Sequence, residues 1–251
     1  MPKRSLSFDR RAVVFYSFPP VSRFSKHIFL KFPVVQLTQI FRMACRDQNA
    51  ANFLNEGKKI VGVALNYMDV VKARNVPVPK EPLVFLKPTT SYLQEGQPIV
   101  LPKVFTKVAY EVELGVVIGK TCKNVSKEDA LNYVAGYCLA LDLTAQCNLG
   151  AARAAGHPWT SKFIPLDQVK DPHNLPLWLT VNGVVKQKGC TADLIFKVPD
   201  IISYVSKYMT LEPNDLILTG TPDGSDAFKA GDVIECGMAE LAKLTFQVCA
   251  E

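Results

Sequence analysis

Apolar runs of strand length recur along this chain, and turn residues cut them before they reach helix length. That punctuation constrains the fold most, because a strand needs only about five or six residues while a buried helix needs ten or more. Lys59 to Leu65, Leu83 to Lys87, Glu111 to Ile118 and Gly136 to Thr144 read as strands, as do Leu216 to Thr219, Val233 to Glu235 and Leu244 to Val248. Leu177 to Val185 reads as a hairpin, with Asn182-Gly183 between two apolar runs. The proline-rich stretch Asn75 to Pro82 is a loop that no helix crosses, and Asn66 to Ala73 fits either helix or loop. Two helices are predicted. One opens at the capping box Ser126-Lys-Glu-Asp129 and runs to about Val134; the other opens at Pro199 and runs to about Tyr208. The order is not a βαβ alternation, which argues against a doubly wound parallel sheet. The expectation is a mixed, β-rich α+β fold with a few covering helices.

The charge is unevenly placed. The whole chain carries +6, but residues 1–42 hold eight Lys or Arg against the single acid Asp9, which leaves the body at −1. A nucleic-acid binder is expected to carry its positive charge on a folded face, and this body has none to spare. No nucleic-acid partner is therefore expected. No window of 18 consecutive apolar residues exists, so no membrane-spanning helix is expected either. The leader is rich in Arg, Ser, Phe and Val and nearly free of acid, which fits a mitochondrial transit peptide. The alternative is a cytosolic protein whose translation starts at Met43. On either reading residues 1–55 form a leader with little fixed structure, and residues 56–251 form one domain. The seven cysteines make no C-x-x-C pair, which points to reduced thiols in an intracellular compartment.

Three carboxylates lie where charge is costly. Glu111 and Glu113 are two apart in an apolar strand, so both side chains share one face while Val112 and Leu114 take the other. Asp142 lies in Leu139-Ala-Leu-Asp-Leu-Thr144, on a face with Cys138, Ala140 and Thr144. Three converging carboxylates repel unless a cation neutralises them, and an all-oxygen set suits Mg²⁺, Mn²⁺ or Ca²⁺ rather than zinc. A strand face turned to water is the other reading of the same spacing.

Tyr110-Glu-Val-Glu-Leu-Gly-Val-Val117 resembles the Glu-x-Glu-Leu metal motif of the fumarylacetoacetate hydrolase family. Ala140 to Ala145, Phe85-Leu-Lys-Pro88, Gln187 to Phe196 and Leu218-Thr-Gly-Thr-Pro222 also match that family in order, so the likeness spans residues 58–251. It is nearest to the acylpyruvase and oxaloacetate decarboxylase type. The resemblance implies a β-roll core, a homodimer, and Mg²⁺ or Mn²⁺ held by Glu111, Glu113 and Asp142. It implies short keto-acid substrates, contacted by Lys87, Gln187, Thr219 and Thr221. In such enzymes a His–Glu pair on a lid activates water.

The chain departs from the family pattern where that chemistry is done. Along Ala64-Leu-Asn-Tyr-Met-Asp-Val-Val-Lys-Ala73, Leu65 stands at an arginine position, Val70 at the histidine and Ala73 at the glutamate. Valine and alanine accept no proton. Gln146 replaces a second arginine after Thr144-Ala145, and Gly224-Ser-Asp226 replaces Gly-Val-Gly. The chain is also short after Thr160, which leaves Lys162 as a candidate remnant of the catalytic lysine and a missing strand's sheet edge exposed. The expected activity is metal-dependent keto-acid cleavage, impaired or altered; the alternative is an inactive relative kept as a dimer partner or metabolite binder. His157 and His173 read as surface residues, Trp159 and Trp178 as core, and Cys138 and Cys147 as packing. Lys87 suits either a substrate carboxylate or solvent.

Overall fold

A computed structural model of the chain describes residues 52–146 and 160–251. The leader, Met43, Cys147, His157 and Trp159 lie outside the described residues. Of Thr160 to Lys162 only the backbone is described.

The described chain runs through α1 (Phe53–Glu56), β1 (Ile60–Ala64), α2 (Met68–Ala73), β2 (Leu83–Lys87), β3 (Ile99–Leu101), β4 (Val108–Ile118) and β5 (Val134–Ala145). It continues through β6 (Thr160–Pro165), β7 (Pro176–Val181), β8 (Val184–Cys190), α3 (Val198–Tyr208), β9 (Leu216–Leu218), β10 (Val233–Met238) and β11 (Ala242–Ala250). Two sheets result. One has the order β2-β1-β9-β4-β5-β6 and the other β3-β11-β10-β7-β8. Most pairings are antiparallel, with β1–β9 and β11–β3 parallel. Among the described residues no helix is long and apolar enough to cross a membrane.

The main core lies between the sheets. Val112, Leu114 and Val116 of β4 and Leu139 and Leu141 of β5 meet Leu179, Ile234, Leu244 and Phe246 of the second sheet, while Ile201, Ile202 and Val205 of α3 join the same cluster. The opposite face of β4 is also covered. Val117 packs with Cys138, Ala140, Leu216 and Leu218 in a smaller apolar cluster. With both faces of β4 packed, its odd-numbered carboxylates are largely enclosed, Glu113 buried and Glu111 half-buried.

β6 pairs with β5 from Leu141↔Thr160 to Gly136↔Pro165 and forms the edge of its sheet. The Asn182-Gly183 turn is formed as expected, both residues holding positive φ between β7 and β8. Trp178 of β7 is half-buried over Gly237, with the Lys243 ammonium 6.0 Å from its ring.

Two expectations are corrected. Ser126 does cap, its Oγ accepting from Asp129 N at 3.2 Å, but the chain then makes only a 3₁₀ turn over Ala130–Tyr133. A longer helix is prevented because Val134 already pairs with Ile118 at the start of β5. His173 is not a free surface residue. Its Nε2 accepts from Val198 N at 3.1 Å and so closes the N-terminus of α3, 23% of its side chain remaining exposed.

That contact makes a pH prediction. Burial holds the His173 imidazole below its ordinary pKa of 6.5. A depressed folded pKa means that protonation favours the unfolded chain, so this contribution is intact above about pH 6.5 and is lost as pH falls through the lower folded value. His173→Ala is expected to cost about 1 kcal/mol near neutral pH, the usual scale for a lost helix cap. It is also expected to flatten the acid limb of stability, read by urea denaturation from pH 7.5 to 5. An unchanged acid limb in the variant would refute the assignment.

Candidate metal centre

The register of β4 against β5 builds the site. Glu111 lies opposite Asp142 and Glu113 opposite Ala140. Residues paired across two strands share a face, so all three carboxylates emerge on the side away from the main core. Their nearest oxygens all lie within 4.8 Å of one another. Glu113 and Asp142 are buried and Glu111 is half-buried.

Backbone and hydroxyl donors hold two of the three. Glu113 Oε2 accepts from Gly220 N at 2.7 Å. Gly220 has φ +102°, and a Cβ there would press on Val63 O and Asn66 Cβ, so only glycine presents its N–H to Glu113 without strain. Glu111 accepts from Thr144 Oγ1 at 3.2 Å and Ser225 Oγ at 3.3 Å. Asp142 Oδ1 is bonded to the Lys87 ammonium, which also donates to Leu143 O at 3.2 Å. Asp142 Oδ2 is buried with no hydrogen-bond partner. A buried carboxylate oxygen without a partner is costly, and a cation would satisfy it.

Electrostatics agree. Burial, then the Asp142 charge, pushes the Glu111 carboxyl up to about 7. Burial and the two neighbouring carboxylates push Glu113 well above the ordinary range. Burial raises Asp142 as well, against the opposing pull of Lys87. Without a cation these groups favour protons. The donor set, its spacing and the partnerless Oδ2 fit a hard divalent cation such as Mg²⁺ or Mn²⁺.

A cavity of about 550 Å³ opens beside the carboxylates. Leu65, Val70, Phe85 and Leu143 form its apolar wall, and Lys87, Arg74 and Thr221 contribute polar groups. Leu65 itself sits at φ +54°, a left-handed turn from β1 into Asn66. Asn66 then anchors the segment, donating to Phe196 O at 3.0 Å and Thr219 O at 2.8 Å and accepting from Phe196 N at 2.7 Å.

The other sequence candidates divide. Thr221 lines the cavity; its Oγ1 donates to Val112 O at 2.8 Å. Thr219 is fully buried behind the site, bonded to Leu114 O. Gln187 is likewise fully buried. Its Oε1 accepts from Val112 N, and its Nε2 donates to Thr221 Oγ1 and Pro222 O. It braces β4 against the Gly220–Gly224 turn rather than facing the cavity. Lys162 pairs through its backbone with Leu139, three residues before Asp142. Ser225, Thr144 and the Gly220 N–H were not singled out as carboxylate donors, and neither was Arg74 as a cavity residue. The signals were the face that Thr144 shares with Asp142, the glycine of Leu218-Thr-Gly-Thr-Pro222, and the Gly224-Ser-Asp226 departure, none of which names its target.

The family model described as fumarylacetoacetate (FAA) hydrolase C-terminal matches residues 59–249. The chain belongs to the fumarylacetoacetate hydrolase family. Within that family it is 45% identical over 209 residues to oxaloacetate tautomerase FAHD1, mitochondrial, of Homo sapiens, covering 79% of this chain and 95% of that relative. It is 46% identical over 201 residues to oxaloacetate decarboxylase, mitochondrial, of Dictyostelium discoideum, covering 75% and 92%. The fold is similar to that of fumarylpyruvate hydrolase from Pseudomonas aeruginosa, solved in complex with Mn²⁺ and pyruvate, at a TM-score of 0.71 and 27% identity, covering 78% of this chain and 91% of that one. The β-rich architecture with few helices is thus the fumarylacetoacetate hydrolase fold.

Proposed function

We propose that the chain is a mitochondrial, divalent-metal-dependent enzyme that cleaves short keto acids and favours oxaloacetate decarboxylation over acylpyruvate hydrolysis. The observation that carries this is the convergence of Glu111, Glu113 and Asp142 beside a cavity, with Asp142 Oδ2 buried and partnerless. The relatives named for oxaloacetate and for the mitochondrion support the substrate and the compartment.

Glu111, Glu113 and Asp142 would hold Mg²⁺ or Mn²⁺, which supplies Lewis acidity toward a keto oxygen and its neighbouring carboxylate. Lys87 neutralises the negative centre from the β2 side. Leu65, Val70, Phe85 and Leu143 keep the cavity wall dry, which strengthens every electrostatic contact inside it.

Decarboxylation breaks the bond between C3 and the departing carboxylate. The electron pair moves toward the keto oxygen, and a proton later returns to C3. No side chain has to remove a proton for that step. Acylpyruvate hydrolysis does need water to lose a proton, and Val70 and Ala73 offer no acceptor. Retained carboxylates beside two positions that accept no proton therefore favour decarboxylation.

The test is a side-by-side assay with Mn²⁺: oxaloacetate loss against hydrolysis of an acylpyruvate, each with an EDTA control. The expected result is EDTA-sensitive oxaloacetate turnover at the higher rate. Faster hydrolysis would reject the stated preference, and no metal-dependent turnover of either compound would reject the enzymatic reading.

A further inference from the structure

Among the described residues the cavity lining contains two cationic side chains, Lys87 and Arg74. They are in different situations. Lys87 is 9% exposed and committed to Asp142 and Leu143 O. Arg74 is exposed to the cavity mouth and makes no ion pair or side-chain hydrogen bond among the described residues. Among the described residues it is also the only guanidinium in the lining.

Its position is fixed by backbone. Arg74 is the C-cap of α2, its N–H donating to Val70 O at 2.9 Å. The Asn66 bonds hold one end of this segment, and Asp69 ties its middle to the Gly220–Gly224 turn by accepting from Asp223 N at 3.1 Å. Past Arg74 the chain leaves through Asn75 at φ +50°. Arg74 is therefore an exposed side chain on an anchored base, beside a cavity lined by Glu111 and Glu113 and by the apolar Leu65, Val70 and Phe85.

We propose that Arg74 binds a second carboxylate of the substrate, the one not engaged at the Glu111–Glu113–Asp142 centre, and so selects keto dicarboxylates over keto monocarboxylates. This rests on the keto-acid reading above and names the residue that sets substrate class. A guanidinium suits the role because its planar fork can hold a carboxylate bidentately. The kinetic consequence has a sign. When that carboxylate leaves as neutral CO₂, the ion pair exists in the ground state and weakens as the bond breaks. Arg74 then contributes binding rather than acceleration.

The test uses two stable 2-hydroxy acids that differ by one carboxylate, malate and lactate, titrated calorimetrically into the Mn²⁺-loaded full chain. Wild type is expected to bind malate more tightly than lactate. Arg74→Gln is expected to weaken malate about tenfold and leave lactate within about twofold, with Arg74→Lys recovering part of the loss. With oxaloacetate the same variant should raise KM without lowering kcat. Equal losses for malate and lactate, or no loss for either, would overturn the Arg74 assignment and leave the keto-acid reading standing. Binding of Mn²⁺ with neither acid in wild type would overturn both. Because Arg74 is exposed, the melting temperature of the ligand-free variant should match wild type, which separates a binding defect from a folding one.

Discussion

Saturating Mn²⁺ is expected to raise the melting temperature of the wild-type protein by about 5–10 °C, and Glu113→Ala is expected to abolish the shift. At a hundredfold excess over Kd, binding to the native state alone is worth about 2.7 kcal/mol, and a domain of this size gains about 2–4 °C per kcal/mol. Glu113 is the decisive position because it is buried and its Oε2 is already aimed by the Gly220 N–H. Alanine removes the ligand without adding volume. Protons compete with the cation at this centre, since burial and mutual repulsion raise all three carboxyls, Glu111 to about 7. The Mn²⁺-induced shift should therefore grow from pH 6 to pH 8. In metal-free protein the sign reverses. Raised folded pKa values mean that this centre's contribution is fully present below the ordinary carboxylate range and is lost as pH rises through the folded values. Scanning calorimetry at three pH values, with and without Mn²⁺, reads both effects. A shift of equal size in Glu113→Ala would show that the cation binds elsewhere.

The second large effect is a gain. Val70→His with Ala73→Glu is expected to raise acylpyruvate hydrolysis by about 10²-fold, the lower end of what a general base contributes, while oxaloacetate decarboxylation stays within about threefold. The geometry allows it. Positions 70 and 73 lie three apart on α2, hence on one side of the helix, and Val70 lines the cavity. The glutamate can orient the imidazole, and Asn66 keeps the helix base fixed. The single Val70→His change should give less, because an unpartnered ring is free to turn away. Steady-state rates of both reactions on both variants check this. Decarboxylation rising in step with hydrolysis would mean that the missing base limits both reactions, contrary to the preference proposed here.

Much of the fold was legible because alternation and turns are local. Asn182-Gly183 fixes its hairpin within a few residues, and the two-residue spacing of Glu111 and Glu113 fixes their common face. The 3₁₀ turn at Ala130–Tyr133 was not legible, because the capping signal there is real and the pairing of Val134 with Ile118 that overrides it is not local. His173 was misjudged for the same reason, since its partner Val198 is 25 residues away.

The site shows the same division. By itself the sequence determined that Glu111 and Glu113 point one way, that Asp142 lies in a second apolar strand, and that Val70 and Ala73 cannot move a proton; each follows from residue type and period-two geometry. Only the tertiary structure decided that Glu111 stands opposite Asp142, that Lys87 is held by Asp142, that Gly220 and Ser225 donate to the carboxylates, that Gln187 braces β4 from behind, and that Arg74 reaches the cavity. These depend on strand register and loop closure between residues as much as 114 positions apart, as in the Ser225–Glu111 bond, and no local pattern encodes which distant partner a strand or loop will meet.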